Sequence, residues 1–133
     1  MPAAALSIRA PAQAEEMAQI RAELADYADG IGLSASEIED VQTIATEACG
    51  NSIKHAYDAS VDGCIEVTAG VEDGELRLLV RDFGSGVGPR TTVTSPSLHA
   101  GLAIIGALSN SFRLSSRRGV GTEIEVRLSL GAA

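Results

Sequence analysis

The chain has 133 residues, 18 acidic against 10 basic side chains and 45% apolar composition, the profile of one soluble globular domain with no room for a second. A net charge of −8 opposes any extended phosphate-tracking surface, so nucleic acid is not an expected partner, and an anionic ligand would need local donors. Aromatics make up 3% and Trp is absent, so the core has to be built from Ala, Val, Ile and Leu. No segment approaches the ~18 apolar residues of a membrane span, and Met1 to Leu6 lacks the charged and long apolar regions of a signal peptide. A cytoplasmic protein with no membrane contact is the expectation. Cys49 and Cys64 fit neither a metal spacing nor a disulfide framework and read as small apolar fillers in a reducing compartment.

Leu6-Ser-Ile-Arg, before Pro11, reads as a short edge strand. Met17, Ile20, Leu24, Tyr27 and Ile31 recur at steps of three or four residues, which puts an apolar stripe on a helix from about Ala12 to Asp29 with Gly30 as its stop. Ser34 and Ser36, followed three residues later by Glu37 and Glu39, offer overlapping capping boxes for a second helix reaching about Tyr57. From Cys64 the period becomes two: Ile65, Val67 and Ala69, a Glu72-Asp73-Gly74 turn, then Leu76, Leu78 and Val80, an antiparallel hairpin. Phe83 to Ala100 carries no period and reads as a lid or a disordered stretch. Gly101 to Leu108 reads as a short apolar helix, and Phe112 and Leu114 lead through an Arg118-Gly119-Val120-Gly121 turn into a strand carrying Ile124, Val126, Leu128 and Leu130. The order, βααββ, lid, αββ, predicts an α+β two-layer sandwich with helices on one face of a mixed, mostly antiparallel sheet.

Four clusters carry side chains capable of chemistry. On the second helix Glu47, Asn51, Lys54 and His55 fall within an arc of about 100°, opposite Val41, Ala45, Ala48, Ser52, Ile53 and Ala56, with Ile44 intruding near the polar stripe. Such a stripe is either a solvated helix face or a site; Asn gains little on an exposed helix, yet its oxygen is a good ligand for a hard cation. Asp82-Phe83-Gly84-Ser85-Gly86 ends a strand, either as an ordinary exit or as an acceptor beside glycines that admit a flat ligand to the backbone. His99-Ala100-Gly101-Leu102 enters a helix, as a plain cap or as a source of free N–H groups for phosphate. Gly119-Val120-Gly121-Thr122 needs to be nothing more than a hairpin turn.

Taken in order, Glu47 and Asn51 on a helix, Asp82-x-Gly84-x-Gly86, a lid, Gly101-Leu102 and Gly121-Thr122 resemble the N box, G1, G2 and closing Gly-Thr element of the GHKL ATPases, the superfamily of gyrase and the histidine kinases. The resemblance spans nearly the whole chain, read as a single ATP-binding domain over 1–133 with a lid at about 83–100. Thr46-Glu47-Ala48-Cys49-Gly50-Asn51-Ser52-Ile53-Lys54-His55 is most similar to the small anti-sigma factor serine kinases, with a Glu four residues before the Asn and a His four after it.

The resemblance implies ATP and Mg²⁺ as ligands. Asn51 would hold Mg²⁺ between the phosphates, Asp82 would read the adenine amino group, and Thr122 would support Asp82 through water or a direct bond. Glu47 would act as general base toward a serine hydroxyl, Lys54 would touch phosphate, and His55, Gly84, Gly86, Gly101 and Leu102 would complete the nucleotide site. Two departures from the family are visible: His99 stands where the G2 box usually has its first glycine, so a left-handed backbone there would be strained. No phosphoacceptor His lies on the first helix, so histidine-kinase autophosphorylation is not expected. The implied function is an anti-sigma factor that sequesters a sigma factor and phosphorylates an antagonist protein, as a homodimer whose N-terminal side, including Arg21, meets partners. A nucleotide-gated module that holds a partner without phosphotransfer, and a regulatory domain with a target other than a sigma factor, are the alternatives.

Overall fold

The computed structural model of the protein describes residues 5–55, 63–83, 96–117 and 121–130. In chain order these form β1 (Leu6–Pro11), a 3₁₀ turn (Ala14–Glu16), α1 (Met17–Gly30), α2 (Ala35–His55), β2 (Cys64–Glu72), β3 (Glu75–Asp82), α3 (Pro96–Leu108), β4 (Ser111–Arg117) and β5 (Gly121–Ser129). The sheet order is β1-β2-β3-β5-β4, and every neighbouring pair is antiparallel. The sheet expected to be mixed is therefore antiparallel throughout the described strands. α2 packs between α1 and α3, and all three helices lie over one face.

α1 buries Met17, Ile20, Leu24 and Ala28, with Tyr27 and Ile31 partly buried against the core. Its stop is not Gly30, which is the last helical residue, but Gly32. Gly32 takes φ +91, its N–H donates to Asp29 O at 3.1 Å and Leu33 N–H donates to Ala28 O at 3.0 Å, the paired bonds of a Schellman motif. Of the two overlapping capping boxes the first is used. Ser34 Oγ accepts from Glu37 N–H at 3.1 Å and Glu37 Oε1 accepts from Ser34 N–H at 2.8 Å, while Ser36 falls inside the first turn of α2. The β2–β3 turn places Asp73 at φ 52 and Gly74 at φ 77, the two left-handed residues of a type I′ connection that matches the twist of the strands.

The core is aliphatic, as the composition requires: Ile20, Leu24, Val41, Ile44, Ile65, Val67, Leu78, Val80, Ile124 and Val126 are all buried. Burial pushes the Cys49 thiol up to about 12, so it packs as an uncharged filler. On the opposite face of the sheet, charges run across the strands. Arg77 donates to Glu125 at 2.7 Å, Arg127 lies 3.3 Å from Glu125 and 3.6 Å from Glu75, and Arg81 lies 3.3 Å from Glu123. The hydrogen bond from Arg77 holds the Glu125 carboxyl below the usual carboxylate range.

Three expectations are corrected. Ile44 is fully buried rather than a blemish on a polar stripe, because α2 has a helix on each flank as well as the sheet beneath it. α3 starts at Pro96, so the end of the supposed lid, Pro96 to Ala100, is helix; 84–95 lie outside the described residues. His99 is consequently a helical residue, and the left-handed backbone that would strain it does not arise there.

The reciprocal cap on α2 generates a direct expectation. Ser34→Ala removes one half of the box and should cost about 1 kcal/mol, read as a lower urea midpoint with an unchanged m-value; an unchanged midpoint would show that the cap contributes nothing.

Candidate functional site

The N-terminal parts of α2 and β3 meet at one groove. Val41 on α2, Leu76 on β3 and Leu108 on α3 line one groove at one end of the sandwich, with Glu37 and Leu128. Ten residues further along α2, at ~1.5 Å per residue, Asn51 is about 15 Å away; six residues further along β3, at ~3.3 Å per residue, Asp82 is about 20 Å away. Both residues thus lie well away from that groove, and β5, antiparallel to β3, begins beside Asp82.

Around these residues two contacts are built by glycines. The first is between helices. A Cβ on Gly101 of α3 would lie 3.1 Å from Glu47 Oε2 and 3.3 Å from both Asn51 Nδ2 and Oδ1. Glu47 and Asn51, one turn apart on α2, therefore turn toward α3, and Asn51 is buried with 8% exposure. The solvated-face alternative does not describe them. Asn51 Nδ2 has no hydrogen-bond partner among the described residues, and a buried amide donor left unmatched costs about 1–3 kcal/mol. Gly101 is the sixth residue of α3, beyond the first turn whose N–H groups lack helical partners. It serves as a close-packing position and not as the phosphate-facing helix start expected from the sequence. Leu102, next to it, is partly buried against the core.

The second contact is between strands. Gly121 has φ +134, and a Cβ there would lie 2.1 Å from the Asp82 carbonyl oxygen, a separation no side chain tolerates. This approach brings the next residue's N–H onto the Asp82 side chain: Thr122 N–H donates to Asp82 Oδ1 at 3.0 Å. Asp82 is on the helix-facing side of β3 together with Leu76, Leu78 and Val80, and it is 4% exposed. Thr122 shares that side with Ile124 and Val126 and is also buried. Of the two forms of support expected for Asp82, the direct bond is present, and its donor is the Thr122 backbone. The sequence places Gly121 in a turn and, by resemblance, in the closing Gly-Thr element; the positive φ and the carbonyl beneath it are tertiary facts with no local signal.

The remaining expected site residues are placed less fully. Lys54 and His55 lie on the last turn of α2, their side chains outside the described residues, and Gly84 and Gly86 are outside as well. Arg21 is half-buried on α1, its carbonyl accepting from Gln42 Nε2 at 3.2 Å. Its guanidinium makes no ion pair with Glu16 or Glu23. The described residues contain no cluster of three or more His, Cys, Asp or Glu able to hold a metal by themselves, and none of their helices is long and apolar enough to cross a membrane.

Residues 10–128 match a family described as histidine kinase-like ATPase domain. Two serine-protein kinases RsbW, from Bacillus licheniformis and Bacillus subtilis, are 35% and 34% identical to this chain over 79 residues, 59% of this chain and 49% of theirs. The chain thus spans about half the length of the curated relatives it matches. Among solved structures, the RsbU and RsbW domains of Rv1364c from Mycobacterium tuberculosis superpose with a TM-score of 0.78 at 27% identity, over 99% of this chain and 34% of that one. The histidine kinase domain of the blue-light activated kinase EL346 from Erythrobacter litoralis gives a TM-score of 0.63 at 17% identity, over 87% of this chain and 60% of that one, a likeness of fold.

The two glycine contacts differ in what they tolerate. Gly121→Ala forces a Cβ into backbone at a positive φ and should cost about 2 kcal/mol or more in urea unfolding. Gly101→Ala meets only side-chain ends and should stay folded with a smaller loss. A Gly121→Ala protein as stable as the parent would show that β5 can start without this close approach.

Proposed function

The chain belongs to the family of histidine kinase-like ATPase domains, and from that premise we propose that it binds ATP with Mg²⁺ between α2, α3 and the Asp82 end of the sheet, and transfers the γ-phosphoryl group to a serine of an antagonist protein. The observation that carries this reading is the pairing of Glu47 with Asn51 against Gly101, one carboxylate and one buried carboxamide on a single helix face. The residues suit the ligand. The buried Asn51 donor without a partner is matched by a phosphate oxygen, and a carboxamide oxygen is a ligand Mg²⁺ accepts. Mg²⁺, when bound, neutralises charge on the phosphates during transfer.

Each remaining residue has a part that its chemistry suits. Asp82, its Oδ1 fixed by the Thr122 N–H, is an acceptor suited to the exocyclic amino group of adenine. By the family resemblance, Gly84 and Gly86 would admit the base to the backbone, Leu102 would cover it, and Lys54 and His55, one turn further along the sequence of α2, would offer positive charge or hydrogen bonds to phosphate. Glu47 takes the proton from the serine hydroxyl as its oxygen bonds to phosphorus and the bond to the leaving diphosphate breaks; the proton passes to the Glu47 carboxylate and then to solvent. The partners in this reading are a sigma factor, which the protein sequesters so as to regulate transcription, and an anti-sigma factor antagonist, which it phosphorylates. The setting is the cytoplasm and the active form a homodimer. The name of the Bacillus relatives, serine-protein kinase, supports the phosphotransfer part of this reading.

Binding and transfer separate the two residues on α2. Asn51→Ala should weaken Mg²⁺-ATP at least tenfold in calorimetry, with little change in EDTA, whereas Glu47→Ala should bind ATP normally and lose roughly 10²–10⁴-fold in phosphotransfer from labelled ATP to the antagonist. If the parent protein binds ATP but labels no antagonist from its own cell, it is a nucleotide-gated binding module. Partner contact is tested on α1, where Arg21 is half-buried without an ion pair among the described residues. Arg21→Glu should leave stability and ATP affinity unchanged and weaken capture of the sigma factor or antagonist by about 2 kcal/mol; wild-type capture by this variant removes Arg21 from the interface.

A further inference from the structure

The strand at one edge of the sheet and the helix beside it are unusual together. α3, Pro96–Leu108, contains no Asp, Glu, Lys or Arg. A helix without charge is normally enclosed, yet α3 buries Gly101 and Ile105 and leaves Ala103, Ile104, Gly106 and Ala107 exposed. Phe112 of β4 lies against it, its Cε1 3.1 Å from where a Gly106 Cβ would stand. Ile104 and Phe112 nonetheless remain 37% and 38% exposed, two of the three large apolar side chains so exposed among the described residues.

β4 is also an edge strand: its inner side pairs with β5, and no described strand pairs with its outer side. The other edge, β1, ends in Pro11, a common protection against further pairing. β4 is Ser-Phe-Arg-Leu-Ser-Ser-Arg, with two arginines and no acidic residue or proline, in a chain of net charge −8. Arg113 is exposed and stands opposite Glu125 in register. Glu125 is already engaged by Arg77 at 2.7 Å and by Arg127 at 3.3 Å, and Arg113 makes no ion pair among the described residues. Phe112 and Leu114, opposite the buried Val126 and Ile124, belong to the helix-facing side, so the strand presents apolar side chains on one side and the exposed Arg113 on the other.

We propose that the outer edge of β4, with the exposed face of α3, is a docking site for an extended acidic segment of another protein that adds to the sheet as a sixth strand. Its carboxylates, at alternate positions, face Arg113; the apolar residues between them cover Phe112 and Ile104. Strand addition supplies main-chain hydrogen bonds and leaves selectivity to alternate side chains. Charge decides against a second copy of this chain, since β4 paired with itself gathers arginines with no acidic residue in either strand, a like-charge arrangement that costs energy. The net charge of −8 opposes an acidic partner at long range, but at physiological salt that repulsion is screened beyond about 8 Å, while Arg113 acts at contact. The proposal stands independently of the nucleotide reading and is tested without ATP.

The probe is an end-blocked, fluorescently labelled peptide of alternating Val and Glu, long enough to span β4, titrated into the full chain with its Val-Lys counterpart as control. Saturable binding with a Kd on the order of 1 mM or tighter, at least tenfold weaker for Arg113→Glu and for the Val-Lys peptide and intermediate for Arg113→Gln, is expected, with slower amide exchange across Ser111–Arg117 in the complex. Circular dichroism confirms that the variants fold. No saturable binding, equal affinity in parent and Arg113→Glu, or binding without amide protection in β4 overturns the proposal. So does a concentration-dependent dimer abolished by Phe112→Glu, which would make a second copy the occupant.

Discussion

The arrangement depends on α2 being narrow enough to touch three neighbours at once. Its buried positions are Val41, Ile44, Ala45, Ala48, Cys49, Asn51 and Ser52, and after Ile44 none carries a large side chain. Small residues let α1 and α3 close on either flank while the sheet closes beneath, so a core with 3% aromatic residues reaches close packing by bringing backbones together. The same economy of volume brings Gly101 of α3 onto Glu47 and Asn51. A bulkier α2 would hold α3 away and leave these two side chains facing water.

The elements that local chemistry specifies were legible before any coordinates. The stripe Met17, Ile20, Leu24 followed the helical period and is buried; the alternation around Asp73-Gly74 announced a hairpin whose turn takes the two positive φ values such a sequence allows. The start of α3 has little local signal, because Pro96-Ser-Leu-His-Ala-Gly carries no apolar period and only the proline at the first helical position marks it. Ile44 falls near the polar stripe only in a projection that assumes one buried face, and α2 has three neighbours. At the candidate site, the grouping of Glu47 with Asn51 could be read from spacing. The carbonyl beneath Gly121, and the route by which Thr122 reaches Asp82 through its main chain, depend on strands 40 residues apart and leave no local trace.

The two faces of the sheet divide the chemistry. Among the described residues the buried polar ones are Asn51, Ser52, Asp82 and Thr122, and three of these four are residues of the candidate site. On the sheet face opposite the helices Arg77, Arg81 and Arg127 engage Glu66, Glu75, Glu123 and Glu125 across strands. These ion pairs are partly exposed, so each contributes little to stability. Their larger effect is to neutralise charge locally on a chain of net −8, so that the excess negative charge is carried elsewhere on the surface.

The strand order β1-β2-β3-β5-β4 bears on how the protein is made. The first three strands are joined by neighbour-to-neighbour pairing and can assemble as the chain emerges from the ribosome. β4 cannot join them: its described partner is β5 alone, and β5 is also what links it to β3. Until Gly121–Ser129 is released, the nascent chain holds an open β3 edge and an unattached β4, both hydrophobic on their helix-facing side. Among the described strands the one latest in the chain is the one that joins β4 to β3, so the interval between the emergence of β3 and that of β5 leaves these edges exposed to mispairing with other molecules.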